Sequence, residues 1–247
     1  MTGRVLVLGG TAEARALAGD LHAGGVPVIS TLAGRVSRPR LPPGDVRIGG
    51  FGGPAGLAQW LSDEAICAIV DATHPFAQRI SASARLAAAR VGAPLIRLQR
   101  PGWQPVDGDR WIWVDDLAGA AGALRQLGVR RVFLTTGRHG LAEFAGDQET
   151  WFLIRCVEAP DISLPRLHRV VLARGPYTLD AELELIDSNG IEAVVTKDSG
   201  GSQTEAKLIA ARTRRLPVVV VRRPSGHAGP VVSSVAEAAR WAREALQ

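Results

Sequence analysis

The chain has 247 residues, 46% apolar and 21% charged, enough to bury one large core or two of domain size. No apolar run approaches the ~20 residues of a membrane-spanning helix, and the apolar stretch at 5–8 is short and ends in glycines. Neither a membrane protein nor a signal or transit segment is therefore expected, and the expected location is cytoplasmic.

The net charge of +5 favours anionic partners such as phosphates and polycarboxylates. Nucleic acid is not expected, because the basic residues are dispersed and only one tyrosine and five phenylalanines offer stacking faces. Cys67 and Cys156 sit in the apolar runs "ICAIVDA" and "WFLIRCV", and the five histidines show no paired spacing, so no metal is expected.

Short runs rich in Val, Ile and Leu alternate with Ala-rich stretches of helical period, the pattern of βαβ units and a parallel sheet. In the first hundred residues the pattern predicts strands at 5–8, 26–31, 46–48, 68–71 and 94–98, and helices at 12–23, 54–62 and 75–91. The segment "LQRPGWQPVDGDRW" then breaks the period, placing a junction within 99–112 and two domains at 1–100 and 101–247. Beyond it strands are expected at 111–114, 131–135, 150–156, 170–173, 193–196 and 217–221, and helices at 117–127, 179–188, 204–214 and 235–246. "RVLVLGGT" at Arg4 is echoed by "RVFLTTGR" at Arg131. The expected fold class is α/β: two Rossmann-like domains with mostly parallel sheets and a cleft between them. Exchange of strands between the sheets near "WIWV" and "VVVV" stays open. Ligands of open α/β sheets sit beyond the carboxyl ends of the strands, so the turns after each strand carry the candidate chemistry.

The first such turn holds Gly9, Gly10 and Thr11. It matches GxGxxG poorly, yet adjacent glycines let main-chain N–H groups approach a pyrophosphate at a helix N-terminus, and Thr11 can cap that helix or bond a phosphate oxygen. A plain strand-to-helix turn is the alternative. The second strand ends in Ser30 and Thr31 without the carboxylate that NAD sites place there, and Arg35, Arg38 and Arg40 follow in "LAGRVSRPR". Hydroxyls followed by arginines suit a 2′-phosphate, so NADPH is expected rather than NADH, a solvated basic loop being the alternative. The fourth strand runs into "DATHPFA", with Thr73 and His74 in the turn and Pro75 where a first helical residue belongs. His74 is a hydrogen-bond donor to cofactor or substrate, or a helix cap.

In the second half "TTGRHG", "ARGPY" and "VTKDSGG" each follow a strand, forming a polar, cationic shelf. Lys197, one of only two lysines, precedes Asp198, Ser199, Gly200 and Gly201, a loop able to form an anion nest. GxxxxGK, GxSxG and Tyr-x-x-x-Lys are all absent, which excludes P-loop, α/β-hydrolase and short-chain dehydrogenase chemistry.

Taken together and in order, "VLVLGGTAEAR", "LAGR", "VRIGGFGG", "DATHPFA", "LIRLQRPGW", "TTGR", "ARGPY" and "TKDSGG" closely resemble the precorrin-6A reductases of cobalamin biosynthesis. The resemblance covers essentially the whole chain. It implies an NADPH-dependent oxidoreductase, monomeric, that reduces one double bond of the precorrin-6A macrocycle to give precorrin-6B. It further implies a cofactor site at Gly9, Gly10, Thr11, Glu13, Arg35, His74 and Pro75, beside Ser30, Thr31 and Thr73 from the strand-end reading. Tetrapyrrole contacts are implied at Gly137, Arg138, Arg174, Tyr177, Lys197, Asp198 and Ser199, with Gly200 in the same nest. His74 and Lys197 are the candidates for a catalytic group, and no proton donor is assigned. Two rival readings are an NADPH reductase of another anionic metabolite and a non-catalytic NADP(H) sensor, the latter having no use for the second set of turns.

Overall fold

The computed structural model describes residues 3–34, 39–138, 140–225 and 229–247. The chain begins with β1 (Arg4–Leu8), α1 (Ala12–Ala23), β2 (Val28–Leu32), β3 (Asp45–Ile48), α2 (Pro54–Asp63), β4 (Ile66–Asp71), α3 (Gln78–Val91) and β5 (Leu95–Leu98). It continues with β6 (Arg110–Val114), α4 (Leu117–Leu127), β7 (Arg131–Leu134), β8 (Trp151–Cys156), β9 (Leu167–Leu172), α5 (Leu179–Ser188) and β10 (Ala193–Lys197). α6 (Ala206–Thr213), β11 (Pro217–Val221), β12 (Val231–Val232) and α7 (Val235–Glu244) complete it.

These strands form two six-stranded sheets, in the orders β12-β5-β4-β1-β2-β3 and β6-β11-β10-β7-β8-β9. Every paired strand runs parallel to its neighbour. The alternation of apolar strands and Ala-rich helices requires this, since a parallel sheet must be covered on both faces. β1 shows the result: Val5 and Val7 pack with Leu17, Leu21, Ala238 and Ala242, while Leu6 and Leu8 pack with Leu57, Leu61, Ala84 and Ala87. The four strand residues are at most 1% exposed. β1 and β7, the two echoed segments, occupy equivalent central positions, each at the point where strand order reverses.

One expectation is corrected. The chain divides into Met1–Pro101 with Ser225–Gln247, and Gly102–Pro224, so the second domain does not run to residue 247. β12 joins the first sheet beside β5, where Arg97 N donates to Pro230 O at 3.0 Å and Gln99 N to Val232 O at 2.9 Å. α7 follows it, and Ala238, Ala239 and Ala242 close the face that Val5 and Val7 present. Without this return β5 would be an open edge and that face would be covered by α1 alone. β6, next in sequence after β5, pairs instead with β11. Each sheet thus takes its sixth strand from the segment following the other's fifth. A two-residue strand has no periodicity to read, which is why β12 escapes the sequence pattern.

A second correction concerns α3, which starts at Gln78 rather than at Pro75. Residues 75–77 form a turn in which Ala77 N donates to His74 O at 2.8 Å. Among the described residues no helix is long and apolar enough to cross a membrane.

Candidate functional site

In the first unit the turn after β1 is held open by its glycines. Gly9 N donates to Thr31 O at 2.9 Å, and a β-carbon on Gly9 would lie 2.9 Å from that oxygen. Gly10 has φ +113°, and a β-carbon there would meet nothing within 4 Å. Its outer side is therefore free for a ligand to approach the backbone. Thr11 caps α1, accepting from Ala14 N at 3.1 Å and donating its one proton to Ala72 O at 2.8 Å. Of the two roles open to Thr11, its hydroxyl thus takes the cap, and its proton is not available to a phosphate. The N–H groups of Gly10, Thr11, Ala12 and Glu13 have no acceptor among the described residues. Unpaired N–H groups at a helix N-terminus, where the helix dipole adds positive potential, make an anion cradle.

Glu13 stands at this cradle paired with Arg100 at 2.6 Å. Its charge is thereby offset, and Arg100, which sequence reasoning passed over, is carried to the helix N-terminus. Ser30 and Thr31 lie inside β2, which continues to Leu32. Both are buried, and Ser30 Oγ has no partner among the described residues. Arg35 and Arg38 lie outside the described residues.

The turn after β4 is organised by a buried ion pair. Asp71 accepts from Thr73 N at 3.1 Å, Thr73 Oγ1 at 2.7 Å and Arg97 Nη1 at 3.0 Å, with Asp71 and Arg97 only 1% and 4% exposed. The Thr73 hydroxyl is therefore committed to the turn, and Pro75 is buried. His74 Nδ1 accepts from Phe76 N at 3.3 Å, which leaves Nε2 as the protonated nitrogen of the neutral ring.

The second unit handles its equivalent turn differently. Among the described residues the segment after β7 holds a short 3-10 turn at Leu141–Phe144 in place of a long helix. It lacks the helix-terminal cradle that α1 supplies. Lys197 Nζ instead donates to Thr136 O at 3.1 Å, joining the turns after β10 and β7 as Thr11 joins those after β1 and β4. Burial pushes the Lys197 ammonium below its usual range. Asp198 is structural: it accepts from Trp103 N at 3.0 Å, pairs with Arg223 at 3.1 Å, and crowds Gly102. Gly200 and Gly201 take positive φ beside it. Arg138 lies 3.9 Å from Glu158, and Arg174 is exposed.

A cavity of about 130 Å³ opens at this edge, lined by Thr135, Gly137, Arg155, Cys156, Val157, Ala173, Tyr177, Ser199, Thr204 and Lys207. It gathers Gly137, Tyr177 and Ser199 of the expected residues, but not Arg138, Arg174, Lys197, Asp198 or Gly200. Tyr177 donates to Ala173 O at 3.0 Å, and burial raises its phenol above the usual range. On the other side of Asp198 a wider concavity of about 540 Å³ is lined by Trp103, Gln104, Pro105, Trp113, Asp198, Arg222 and Arg223. Arg222 lies over the Trp113 ring at 5.1 Å.

Arg155 and Lys207 were missed because each sits in a segment read as core. The signals were present: an arginine amid "WFLIRCV", where a buried strand demands a partner for it, and a second lysine in a chain with only two. Among the described residues no three His, Cys, Asp or Glu side chains gather as a metal site.

Comparison with known proteins bears on these edges. The family model described as precorrin-6x reductase CbiJ/CobK matches residues 4–243. A precorrin-6A reductase of Rhodococcus erythropolis is 51% identical over 240 residues, covering 96% of both chains. One from Mycobacterium tuberculosis is 52% identical over the same length and coverage. A cobalt-precorrin-6A reductase of Priestia megaterium is 29% identical over 247 residues, covering 94% of this chain and 95% of its own. A solved structure titled CobK precorrin-6A reductase superposes with TM-score 0.93 at 42% identity, covering 98% of this chain and 97% of that one.

Proposed function

The chain belongs to the precorrin-6x reductase CbiJ/CobK family, and on that footing we propose that it reduces precorrin-6A with NADPH, giving precorrin-6B in cobalamin biosynthesis. The metal-free macrocycle is preferred to its cobalt form, because the relatives named for the former share 51% and 52% identity and the one named for the latter 29%.

The observation that carries the reading is the turn after β1, where four successive N–H groups lack acceptors among the described residues beside an open Gly10. This fits a dinucleotide pyrophosphate, whereas the equivalent turn of the second unit, after β7, leads among the described residues into a 3-10 turn rather than an α-helix. We assign the first unit to NADPH. The N–H groups of Gly10 to Glu13 hold the pyrophosphate, with Arg100 balancing Glu13. Arg35 takes the 2′-phosphate, for which guanidinium gives two parallel charge-assisted bonds. His74, with its proton on Nε2, donates a hydrogen bond near the nicotinamide end, and Thr73 and Pro75 shape its turn. Ser30 and Thr31, buried in β2, support the backbone of the site rather than touch the cofactor.

The second unit is assigned to the tetrapyrrole, whose acetate and propionate groups suit the turns bearing Arg138, Arg174 and Lys197. Gly137, Ser199 and Gly200 shape those turns, Asp198 anchors them, and Tyr177 walls the cavity. When bound, NADPH would supply the hydride, with the proton coming from solvent or an acidic group, so that the macrocycle would gain two hydrogens and NADP⁺ would be left. The protein's own contribution is to orient the two partners and exclude water.

The test is anaerobic mixing of precorrin-6A, protein and NADPH. Loss of the reduced-nicotinamide absorbance in step with a shift of the tetrapyrrole band supports the reading. NADPH binding without either change overturns the reading and leaves the two rivals, a reductase of another anionic metabolite and a sensor. Arg35→Ala should raise KM for NADPH by roughly tenfold or more while leaving that for NADH nearly unchanged; equal effects would remove the 2′-phosphate role.

A further inference from the structure

Arg155 and Lys207 place two cations in the wall of one small cavity. The Arg155 side chain is 4% exposed and is clasped between Tyr177, 3.7 Å from the ring centroid, and Phe133 at 4.8 Å. Lys207, 3% exposed, donates from Nζ to Thr204 O and lies 4.6 Å from the Trp103 ring centroid. One buried carboxylate faces them: Glu182 Oε1 accepts from Arg155 Nη1, and its Oε2 has no partner among the described residues. The hydroxyls of Tyr177 and Thr135 donate away to main-chain oxygens. With Lys207 protonated, two cations therefore share one buried carboxylate, and the surplus charge is expensive to leave without a counter-ion.

Resting on the reading of the preceding subsection, we propose that this cavity receives one carboxylate side chain of the tetrapyrrole, seated against Lys207 and Arg155.

The cavity has the size for it. At about 130 Å³ it exceeds about tenfold the roughly 10–15 Å³ that one water needs, which accommodates a short carboxylate arm but not the macrocycle. Its mouth lies among the turns after β7, β8, β9 and β10, beside the other cationic groups of that edge. The charge balance agrees. Burial, and then Arg155, push Lys207 down to about 7, against the opposing pull of Glu182 and Glu205. An arriving carboxylate restores the ammonium, so binding near neutral pH draws in a proton.

The experiment measures KM for precorrin-6A and Kd for NADPH from about pH 6 to 9 in the wild type, Lys207→Met and Lys207→Arg. Wild-type KM for precorrin-6A should climb above pH 7 and level off roughly tenfold higher, near the Lys207→Met value. Lys207→Met should show a KM raised roughly tenfold at low pH and flat thereafter, and Lys207→Arg a low, flat KM. The NADPH Kd should stay within about twofold throughout. The proposal is overturned if Lys207→Met keeps the wild-type KM, or if either variant keeps the wild-type pH profile. It is equally overturned if the NADPH Kd moves instead, which would make the cavity a dinucleotide phosphate site. Should Lys207→Met fail to fold, the pH profile of Lys207→Arg decides. A wild type that binds NADPH yet never turns over precorrin-6A overturns the underlying reading and this proposal with it; normal turnover with unaltered variants overturns this proposal alone.

Discussion

Lys197 Nζ donates to the main-chain oxygen of Thr136 at 3.1 Å, across the point where the strand order of the second sheet reverses. A threonine hydroxyl makes the same link in the first sheet, from Thr11 to Ala72. Replacing a neutral strap by a buried ammonium costs desolvation, seen in the lowered pKa of Lys197, and what it adds is positive charge at the ligand edge. Lys197→Ala should lower kcat/KM for precorrin-6A by roughly tenfold to a hundredfold, the range of one charge-assisted hydrogen bond. NADPH affinity, by fluorescence titration, should stay nearly constant. Collapse of NADPH binding would reverse the division of labour between the units.

The two glycines after β1 should fail differently. A β-carbon at Gly9 lies 2.9 Å from Thr31 O and 3.2 Å from Leu32 Cδ2, so Gly9→Ala should destabilise the fold by about 1–3 kcal/mol in urea unfolding. Gly10→Ala meets no neighbour, but it faces open space at φ +113°. It should cost only about 1–2 kcal/mol of stability while weakening NADPH roughly tenfold. Equal NADPH affinity in Gly10→Ala and wild type would remove the cradle from the site.

The Asp71–Arg97 pair should matter to the fold more than its polarity suggests. Arg97 also bonds Ser81 Oγ at 2.9 Å and Gln99 Oε1 at 2.8 Å, so it holds β4, α3 and the chain after β5 together. Arg97→Met strands a buried carboxylate and should cost about 3–5 kcal/mol by chemical denaturation. A loss below about 1 kcal/mol would show that the pair is dispensable.

Lys207 trades stability for charge. Its pKa falls from an ordinary 10.5 to about 7 on folding, so the unfolded chain binds more protons between those values and stability rises with pH across that window. At or below pH 7 the cost is at its full value, on the order of a few kcal/mol. Lys207→Met should therefore raise the melting temperature most at neutral pH and progressively less towards pH 10, checked by calorimetry across that range. A gain that grows with pH would contradict a buried, charged lysine.

Most strands were legible because buried parallel strands are written as unbroken apolar runs: "VLVL" and "PVVVV" leave little choice. α1, α4 and α5 begin at the residues where the helical period starts, and Thr11, Asp116 and Thr178 cap them there, Thr11 alone having been read as a cap. α3 was misread because Pro75 mimics a first helical residue, while the helix starts at Gln78, uncapped by any side chain. The destination of β12 and α7 was illegible for a different reason. Local pattern reports that an Ala-rich face must be covered, and says nothing of which sheet it covers. At the site the glycine turns and Lys197 could be found from spacing, whereas Arg155 and Lys207 gain their meaning only from Glu182, which is distant in sequence and adjacent in space.

The most direct measurement supplies precorrin-6A with NADPH deuterated at the transferable position of the nicotinamide and weighs the macrocycle afterwards. If this chain delivers hydride from a dinucleotide to the tetrapyrrole, the product carries one deuterium and one solvent hydrogen, in proportion to the NADP⁺ formed. A macrocycle of unchanged mass, or a reduced one whose new hydrogens both come from solvent, would contradict it.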